Sequence, residues 1–549
     1  MPYPGTRAGN SSNENSATPS LPLPEATHRH TSTRLRATRR SRVRRPAKRK
    51  NAVTTVAIAG AGPVGLMLAR ELQMQGVRTV VLEAAAERSP YSKALGIHAR
   101  TIEILTMRGL ADDMLAGGIR LPRHHYAMLP NSIDYSKLPS PYAFVLAYPQ
   151  VGTENTLESA ALSAGAELRR EHRVISASQS ADEVTLEVDG PDGHYTEQVE
   201  YLVGCDGGRS VVRESAGIDF PGSEVTFWSF LGEVYLDSPP ERGFVRHGEH
   251  GAIFVAPVPG GFYRVSGIDL ARQDPQGPLE FDEFRETVIR TAGDDFGMRD
   301  PVWLTRFGDA SRLASQYRNG RVFVAGDSAH IHYPAGGVGL NIGLQDALNL
   351  GWRLGHVING TADEDLLEGY HADRHPVGQA LMTTSQAQTA VIKAFAPGDQ
   401  GLRTLTNDLI GSVTEMNYEL ALRLSGLAVR YLAPEGSLPI VGTRAPDVQL
   451  TSPAGQSLFD QLDRPRFVLL HRDDLTLEGL EDVHTVAADA DAIDTAGWTA
   501  VTAALVRPDG YVAWATHTQD STCAGAEAAD ALSHTLRPSA AHAITAPVT

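Results

Sequence analysis

"TTVAIAGAGPVGLMLARELQMQGVRTVVLEAAAE", Thr54–Glu87, sets out an apolar run, three glycines, an amphipathic stretch, a second apolar run and an acid. Val53–Ala59 has the length and apolar continuity of a strand buried on both faces of a parallel sheet. Gly60, Gly62 and Gly65 spell GxGxxG. The first glycine permits a tight turn, the second lets the backbone approach a pyrophosphate, and the third lets helix pack closely on strand. The helix that follows offers free N–H groups and a positive dipole end to the phosphates. Gly76 ends that helix, Val77–Leu82 is the next strand, and Glu83 closes it. A carboxylate there suits the two hydroxyls of an adenosine ribose and repels a 2′-phosphate. A glycine-rich turn without a ligand would leave Glu83 unexplained. The spacing therefore predicts an adenine dinucleotide but does not choose between FAD and NAD.

The chain has 549 residues, enough for two or three domains, with 42% hydrophobic and 21% charged residues, as soluble globular proteins have. Cys205 and Cys523 are its two cysteines. They form no CxxC and no disulfide framework, which fits a reducing, cytoplasmic setting. No apolar run is long enough to span a bilayer, so no membrane partner is expected. The net charge of −16 is uneven: residues 1–50 hold 12 Lys/Arg against 2 Asp/Glu, a balance of +10, leaving −26 for residues 51–549. An acidic body is a poor match to nucleic acid. Residues 1–50 read as a disordered, dispensable basic leader. A transit peptide or twin-arginine signal at Arg39–Arg40 is the competing reading, but the only apolar stretch that follows is needed for the first strand and helix.

Two further motifs lie downstream. "YLVGCDGGRSVVRESAGI", Tyr201–Ile218, places Asp206, Gly207, Ser210 and Arg213 between an apolar strand and a helix. "GRVFVAGDSAHIHYPAGGVGLNIGLQDALNLGWRL", Gly320–Leu354, runs from a strand at Val322–Ala325 through Gly326–Asp327 and a Pro/Gly bend into a helix starting near Gly339. His330 and His332 invite a metal reading, but their i, i+2 spacing without a carboxylate or cysteine set makes a poor site, so no metal is expected.

In this order and spacing, the three motifs resemble those of the single-component FAD-dependent aromatic hydroxylases, the class A flavoprotein monooxygenases. Polyketide hydroxylases and rifampicin monooxygenase form the nearest subgroup. The resemblance spans roughly residues 53–540 and implies FAD held at both ends. The first glycine turn would hold adenosine and pyrophosphate through Gly60, Gly62, Val64, Gly65 and Glu83. The second glycine-rich helix start would meet the isoalloxazine ring, with Gly339 leaving room for it. Backbone N–H groups of Leu340 and Asn341, with the helix dipole, would stabilise the negative charge of reduced flavin. Carried over position by position, the resemblance implies cofactor contacts from Lys93, Arg100, Gln150, Val174, Asp206 and Asp327. Lys93 and Val64 depart from the arginine and threonine common at their places; lysine keeps the charge but loses bidentate geometry.

Between 217 and 309, β-prone runs and a Pro-Gly-Gly bend predict an antiparallel sheet, which the resemblance makes the roof of a substrate cavity. Phe227, Trp228, Phe230, Phe254 and Phe262 are candidate cavity aromatics, a minority of them in contact with ligand. Leu402, Leu405, Leu409, Val413, Met416, Leu420, Leu424, Leu427 and Tyr431 recur at helical spacing and predict one long amphipathic helix. The expected architecture is α/β: a Rossmann-like FAD-binding domain (51–216 and, with long helices, 310–441), an inserted substrate domain (217–309) and a thioredoxin-like C-terminal domain without CxxC (442–549).

The resemblance implies NAD(P)H-consuming insertion of one atom of O2 into an aromatic, polyketide-type substrate through a flavin C4a-hydroperoxide, by a monomer or homodimer. NADPH or NADH would act as co-substrate. Baeyer–Villiger oxygenation, or an FAD dehydrogenase without oxygenation, is the alternative. Tyr235, His247 and His332 are conceivable bases for a phenol, and none is assigned.

Overall fold

The apolar run after the leader forms the strand Val56–Ala59, buried along its whole length. It pairs in parallel with Thr79–Glu83 on one side and Tyr201–Gly204 on the other. Glu167–Arg170, Val322–Val324 and the short antiparallel Arg318–Asn319 complete a six-stranded sheet, ordered by first residue Arg318, Val322, Tyr201, Val56, Thr79, Glu167. The computed structural model describes residues 55–538 apart from 242, 276, 476 and 478–482. The basic leader read from the sequence lies outside them.

Strand alternation assigns the two faces. Val56 and Ile58 join the helix-covered core with Leu66, Leu344 and Leu348. Ala57 and Ala59 point the other way, toward Val184, Leu186 and Val188 of a three-stranded antiparallel ribbon. On the first face lie the helices Pro63–Gln73 and Gly339–Ile358, the two glycine-headed helices of the sequence. The ends of the parallel strands follow one another across the sheet: Gly60 N–H donates to Leu82 O, Cys205 N–H to Ala59 O and Ala325 N–H to Gly204 O, at 2.8–2.9 Å. All three motifs therefore leave the sheet side by side at its carboxyl edge, where open α/β sheets bind ligands.

The inserted segment forms a five-stranded antiparallel sheet ordered Phe244–Gly248, Gly251–Pro257, Tyr263–Asp269, Trp228–Leu236, Met298–Gly308. The Pro-Gly-Gly bend closes a hairpin, with Val258 N–H donating to Phe262 O at 3.1 Å. Phe230, Val234, Ile253 and Val265 pack on one face against Phe284 and Val288 of the helix Phe281–Ala292. The opposite face sends Ala252 and Ile268, with Phe227, Phe254 and Phe307, toward Tyr126, Tyr135 and Val338.

One helix was expected over 402–431, and the chain forms two, Gln400–Ser412 and Thr414–Ser425. Val413 between them is extended (φ −107°, ψ 100°), and left-handed Gly426 ends the second. The break lets Asn417 bind the 130s loop: its Oδ1 accepts from Asp134 N–H, and its Nδ2 donates to Ser132 O and Ile410 O. The apolar stripe divides with the helix: Leu424, Leu427 and Tyr431 are buried, whereas Leu402 and Leu405 are 48% and 59% exposed.

After residue 442 a four-stranded sheet runs His484–Ala488, Val468–Arg472, Ala503–Val506, Val512–Thr516, the first pair parallel and the others antiparallel. Val468, Leu470, Val506 and Val512 belong to the same core cluster as Val56 and Ile58. No described helix is long and apolar enough to cross a membrane.

Candidate cofactor and substrate site

The three glycines of the first turn do three different things. Gly60 has φ +101°, and a Cβ there would stand 2.4 Å from Cys205 O. A Cβ on Gly65 would stand 2.1 Å from Gly60 O, so helix and turn close only without a side chain. At Gly62 a Cβ would meet no protein atom within 4 Å. That glycine keeps clear a space the protein does not fill, directly at the N-terminus of Pro63–Gln73, which has no side-chain cap. A pyrophosphate fits that cradle: open space, unpaired N–H groups and a helix dipole. The Glu83 carboxylate accepts from Ala61 N–H and Ala85 N–H, both at 2.8 Å, and is thereby fixed beside the turn. Val64 packs onto the third motif: a Cβ at Gly326 or Gly343 would lie 2.9 or 2.6 Å from its Cγ2.

The second motif clamps the third. Asp206 accepts from Ser210 Oγ at 2.5 Å and Ser328 Oγ at 3.0 Å, and Arg213 donates to Ser328 O at 3.0 Å and Gly208 O at 3.1 Å. Asp206 is thus held within the protein, while Asp327 beside it is exposed and has no hydrogen-bond partner among the described residues. Underneath lies Asp346, which the sequence reading missed. It accepts from Gly326 N–H at 3.1 Å, His330 Nε2 at 2.8 Å and Arg374 Nε at 2.8 Å. Burial alone would raise its carboxyl, but Arg374 and His330 outweigh that and hold it below the ordinary range. Its signal was available: an acid on the otherwise apolar face of "NIGLQDALNL".

At the second glycine bend, Gly336 and Gly337 are left-handed, with φ +78° and +67°. The backbone N–H groups of Gly339, Leu340 and Asn341 have no backbone partner among the described residues. The Asn341 side chain, rather than only its backbone, is structural: Oδ1 accepts from His98 N–H at 2.8 Å, and Nδ2 donates to Gly96 O and Gly337 O at 3.0 Å. It ties the 96–98 segment to the helix start. Lys93 is exposed on the same loop. Gln150 holds that loop, Oε1 accepting from Ala94 N–H at 3.0 Å. From the antiparallel sheet, Arg264 donates to Ser92 O and to Lys93 O and pairs with buried Glu233, a clamp the sequence did not reveal. Val174 lies on the antiparallel ribbon with its side chain in the core beside Val80 and Leu82.

Arg100 is a correction. Its guanidinium is wholly buried, donating to Glu103 at 2.9 Å and to Asp509 O of the C-terminal sheet at 2.8 Å, and it lies over Tyr511 at 4.9 Å. A cation opening a helix reads the same whether it serves a phosphate or a buried carboxylate, and here it serves the carboxylate.

Of the candidate cavity aromatics, Phe227 and Phe254 pack on the cluster that holds Tyr333, Ala335 and Val338 of the second glycine bend. Phe230 is core against Phe284, Trp228 sits beside Arg306 and Glu283 on the helix side, and Phe262 meets Tyr235 edge-on. The three conceivable bases all make contacts within the protein, and His332 Nε2 lies 3.1 Å from where a Cβ on Gly339 would stand. His247 donates to Ile392 O at 2.9 Å, His332 Nδ1 donates to Tyr333 O at 2.7 Å, and Tyr235 lies under Arg299. Burial lowers His332 to about 4. Among the described residues, no three His, Cys, Asp or Glu side chains are grouped to hold a metal ion. Between loop 130–137 and the helix pair lies a groove of about 400 Å³ lined by Arg123, Asn131, Asp134, Lys137 and Asn417. It contains none of the glycine-motif residues.

Comparison with known proteins decides the family. The FAD binding domain family matches residues 53–385, and the aromatic-ring hydroxylase C-terminal family matches 438–538. The chain belongs to the FAD-binding aromatic-ring hydroxylases. A solved anhydrotetracycline hydroxylase from Streptomyces rimosus superposes with TM-score 0.80 at 40% identity, covering 88% of this chain and 98% of that one. Rifampicin monooxygenase of Streptomyces venezuelae is 39% identical, over 84% of this chain and 95% of its own length. Dialkyldecalin synthase of Streptomyces rugosporus is 38% identical over the same shares, 84% and 95%. The family thus includes a member named for a synthase as well as members named for oxygenation. This chain, with its named monooxygenase relatives, is a flavoprotein of the oxygenase type, and its mixed α/β fold is that of the family.

Proposed function

We propose that this chain is an NAD(P)H-consuming monooxygenase that binds one FAD across its two glycine-rich helix starts and inserts one atom of O2 into a polycyclic aromatic substrate. The observation that carries the reading is the pairing of two unfilled helix ends on one sheet edge: the space beside Gly62 and the unpartnered N–H groups at Leu340 and Asn341. Two such ends suit a cofactor too long for a single anchor. FAD, when bound, supplies two-electron chemistry that accepts reducing equivalents from NAD(P)H and activates O2. The chain's own residues bind and orient it. Gly60, Gly62, Val64 and Gly65 form the pyrophosphate turn, Glu83 takes the ribose, and Val174 offers backbone to the adenine end. Asp206 and Asp327 serve the central phosphate–ribityl stretch, with Lys93 and Gln150 on the facing loop. Gly339, Leu340 and Asn341 meet the ring, where the helix dipole favours negative charge. The antiparallel sheet, through Phe227 and Phe254, covers the ring and excludes water.

In this reading, the domain division is 51–216 with 310–441 for a Rossmann-like FAD domain, 217–309 for substrate and 442–549 for a thioredoxin-like domain. That last domain is structural or serves association, because Cys523 without a CxxC partner does no dithiol chemistry. Among the described residues there is one dinucleotide fold, so in this reading NAD(P)H docks transiently, and the working form is a monomer or homodimer in the cytoplasm.

Incubation with NADPH, ¹⁸O₂ and a panel of polycyclic phenols including anhydrotetracycline tests this. One labelled oxygen in product, with substrate-stimulated NADPH oxidation, is expected; label in an expanded ring would mark Baeyer–Villiger chemistry. The synthase relative favours one second reading, an FAD-holding protein without oxygenation. Conversion of substrate without NADPH or label would establish that reading instead.

A further inference from the structure

His124 and His125 have no part in the roles above. They follow from the strand Arg123–His124, paired antiparallel with Ile133–Asp134. His124 Nε2 meets Gly336 O at 3.3 Å, the same carbonyl that His98 Nε2 meets at 2.9 Å, and His98 Nδ1 meets Tyr135 OH at 3.1 Å. A carbonyl only accepts, so both imidazoles donate from Nε2, and Tyr135 OH donates to His98 Nδ1. The second glycine bend thereby fixes the tautomers of both rings.

His125 differs from them. Its ring centroid is 4.5 Å from that of His124 and 6.3 Å from that of Phe254, tilted 29° to the phenyl plane. Neither ring nitrogen has a hydrogen-bond partner among the described residues. Its side chain is exposed. It stands between the cavity-facing side of the antiparallel sheet, through Phe254, and the second glycine bend, through His124. The titratable groups around it are His124 on its own segment, His98 at the start of Ala99–Met107 and Tyr135 after the paired strand. On the segment that follows, Tyr126 is buried, and Arg403 donates to Ala127 O and Met128 O. Burial lowers both other histidines, His98 to about 4, and raises the Tyr135 hydroxyl.

We propose that His125 is the acid–base residue of this site, its free imidazole nitrogen taking the proton from an aromatic hydroxyl held between Phe254 and the Gly336 bend. The proposal rests on the aromatic-hydroxylase reading. The substrate O–H bond breaks, an imidazole N–H bond forms, and the electron pair stays on oxygen. The resulting phenolate ring is a stronger nucleophile toward an electrophilic oxygen, and the proton returns when product re-forms its hydroxyl. A neutral imidazole carries one ring-nitrogen lone pair, and with no protein donor on it that lone pair is open to the proton. His98 and His124 are less suited, because the glycine bend already engages them.

The test titrates 4-nitrophenol, whose phenolate is coloured, on the flavin-loaded full-length protein and reads ionisation of the bound probe by difference spectroscopy. Wild-type protein should ionise the bound probe about one pH unit lower than His125→Ala does, a tenfold shift. Added imidazole should restore that shift in the variant. Should His125→Ala lose flavin, His125→Gln, which keeps the side chain's volume, carries the same comparison. Equal ionisation in wild type and variant would overturn the role of His125 while leaving the hydroxylase reading intact. If the flavin-loaded wild type takes up no nitrophenol at millimolar concentration, there is no aromatic binding site beside His125, and the proposal falls with it.

Discussion

The helix Gly339–Ile358 has two contrasting ends. At its start, left-handed glycines and unpartnered N–H groups leave a positive pole without a protein partner. From its middle onward the helix is fastened by buried charge. Asp346 binds Arg374 and His330, and Arg353 binds Asp373. Asn349 and Trp352 both donate to Asp509 at 3.2 Å, and Asp509 also binds Arg507. Asp509 and Arg507 come from the Pro508–Asp509–Gly510 turn of the C-terminal sheet, which thus enters the cofactor domain. Burial alone would raise Asp509, but Arg507 outweighs it and keeps the carboxyl below the ordinary range. A rigid far end lets the near end stay unsatisfied, and an unsatisfied end is what a ligand's developing charge requires.

The fastened end should show the largest effect. Asp509→Ala leaves Arg507 buried without its closest partner, and urea unfolding should report a loss of about 3–5 kcal/mol. Arg100→Ala should cost a similar amount while leaving the FAD affinity of the folded protein within about twofold. A large affinity loss without destabilisation would return Arg100 to the cofactor.

pH separates the two ends. His98, bonded to Gly336 O at the open end, is lowered to about 4 in the fold, from 6.5. Its contribution is complete above about pH 6.5 and is lost as pH falls toward 4, because the unfolded chain then binds the extra proton. His98 alone should account for a loss on the order of 3 kcal/mol across that window, and His98→Gln should remove that share while the shares of His124 and His332, lowered likewise, remain. The lowered carboxyls of Asp346 and Asp509 act only below it.

Gly62→Val tests the open end at the first turn. A Cβ there meets no protein atom within 4 Å, so the thermal midpoint should hold while the FAD dissociation constant rises about 100-fold, roughly 2.7 kcal/mol. Gly65→Ala, blocked by Gly60 O, should lower the thermal midpoint and also weaken FAD binding. The smallest effect expected is from Glu83→Ala, about a tenfold weaker FAD, measured by flavin fluorescence, because backbone N–H groups share the load.

The open end was legible in the sequence and the fastened end was not. Gly60, Gly65 and Gly336 are demanded by local backbone geometry, and such demands leave local signatures. Arg100–Asp509 and Asn349–Asp509 join residues 409 and 160 positions apart, which no spacing rule reaches. The Pro-Asp-Gly turn read as an ordinary turn because its chemistry lies in what it is inserted into. The 402–431 stripe read as one helix because periodicity does not register a break at Val413 made for Asn417. His125 carried no pattern at all, since its setting depends on a sheet more than a hundred residues downstream.

Titrating the apoprotein with FAD and counting the flavin retained decides whether one FAD is held between the two uncapped helix starts. One FAD per chain is expected in the wild type, and its loss in Gly62→Val at unchanged thermal stability. A folded wild-type protein that retains no FAD, or a Gly62→Val protein that retains it as well as wild type, would contradict it.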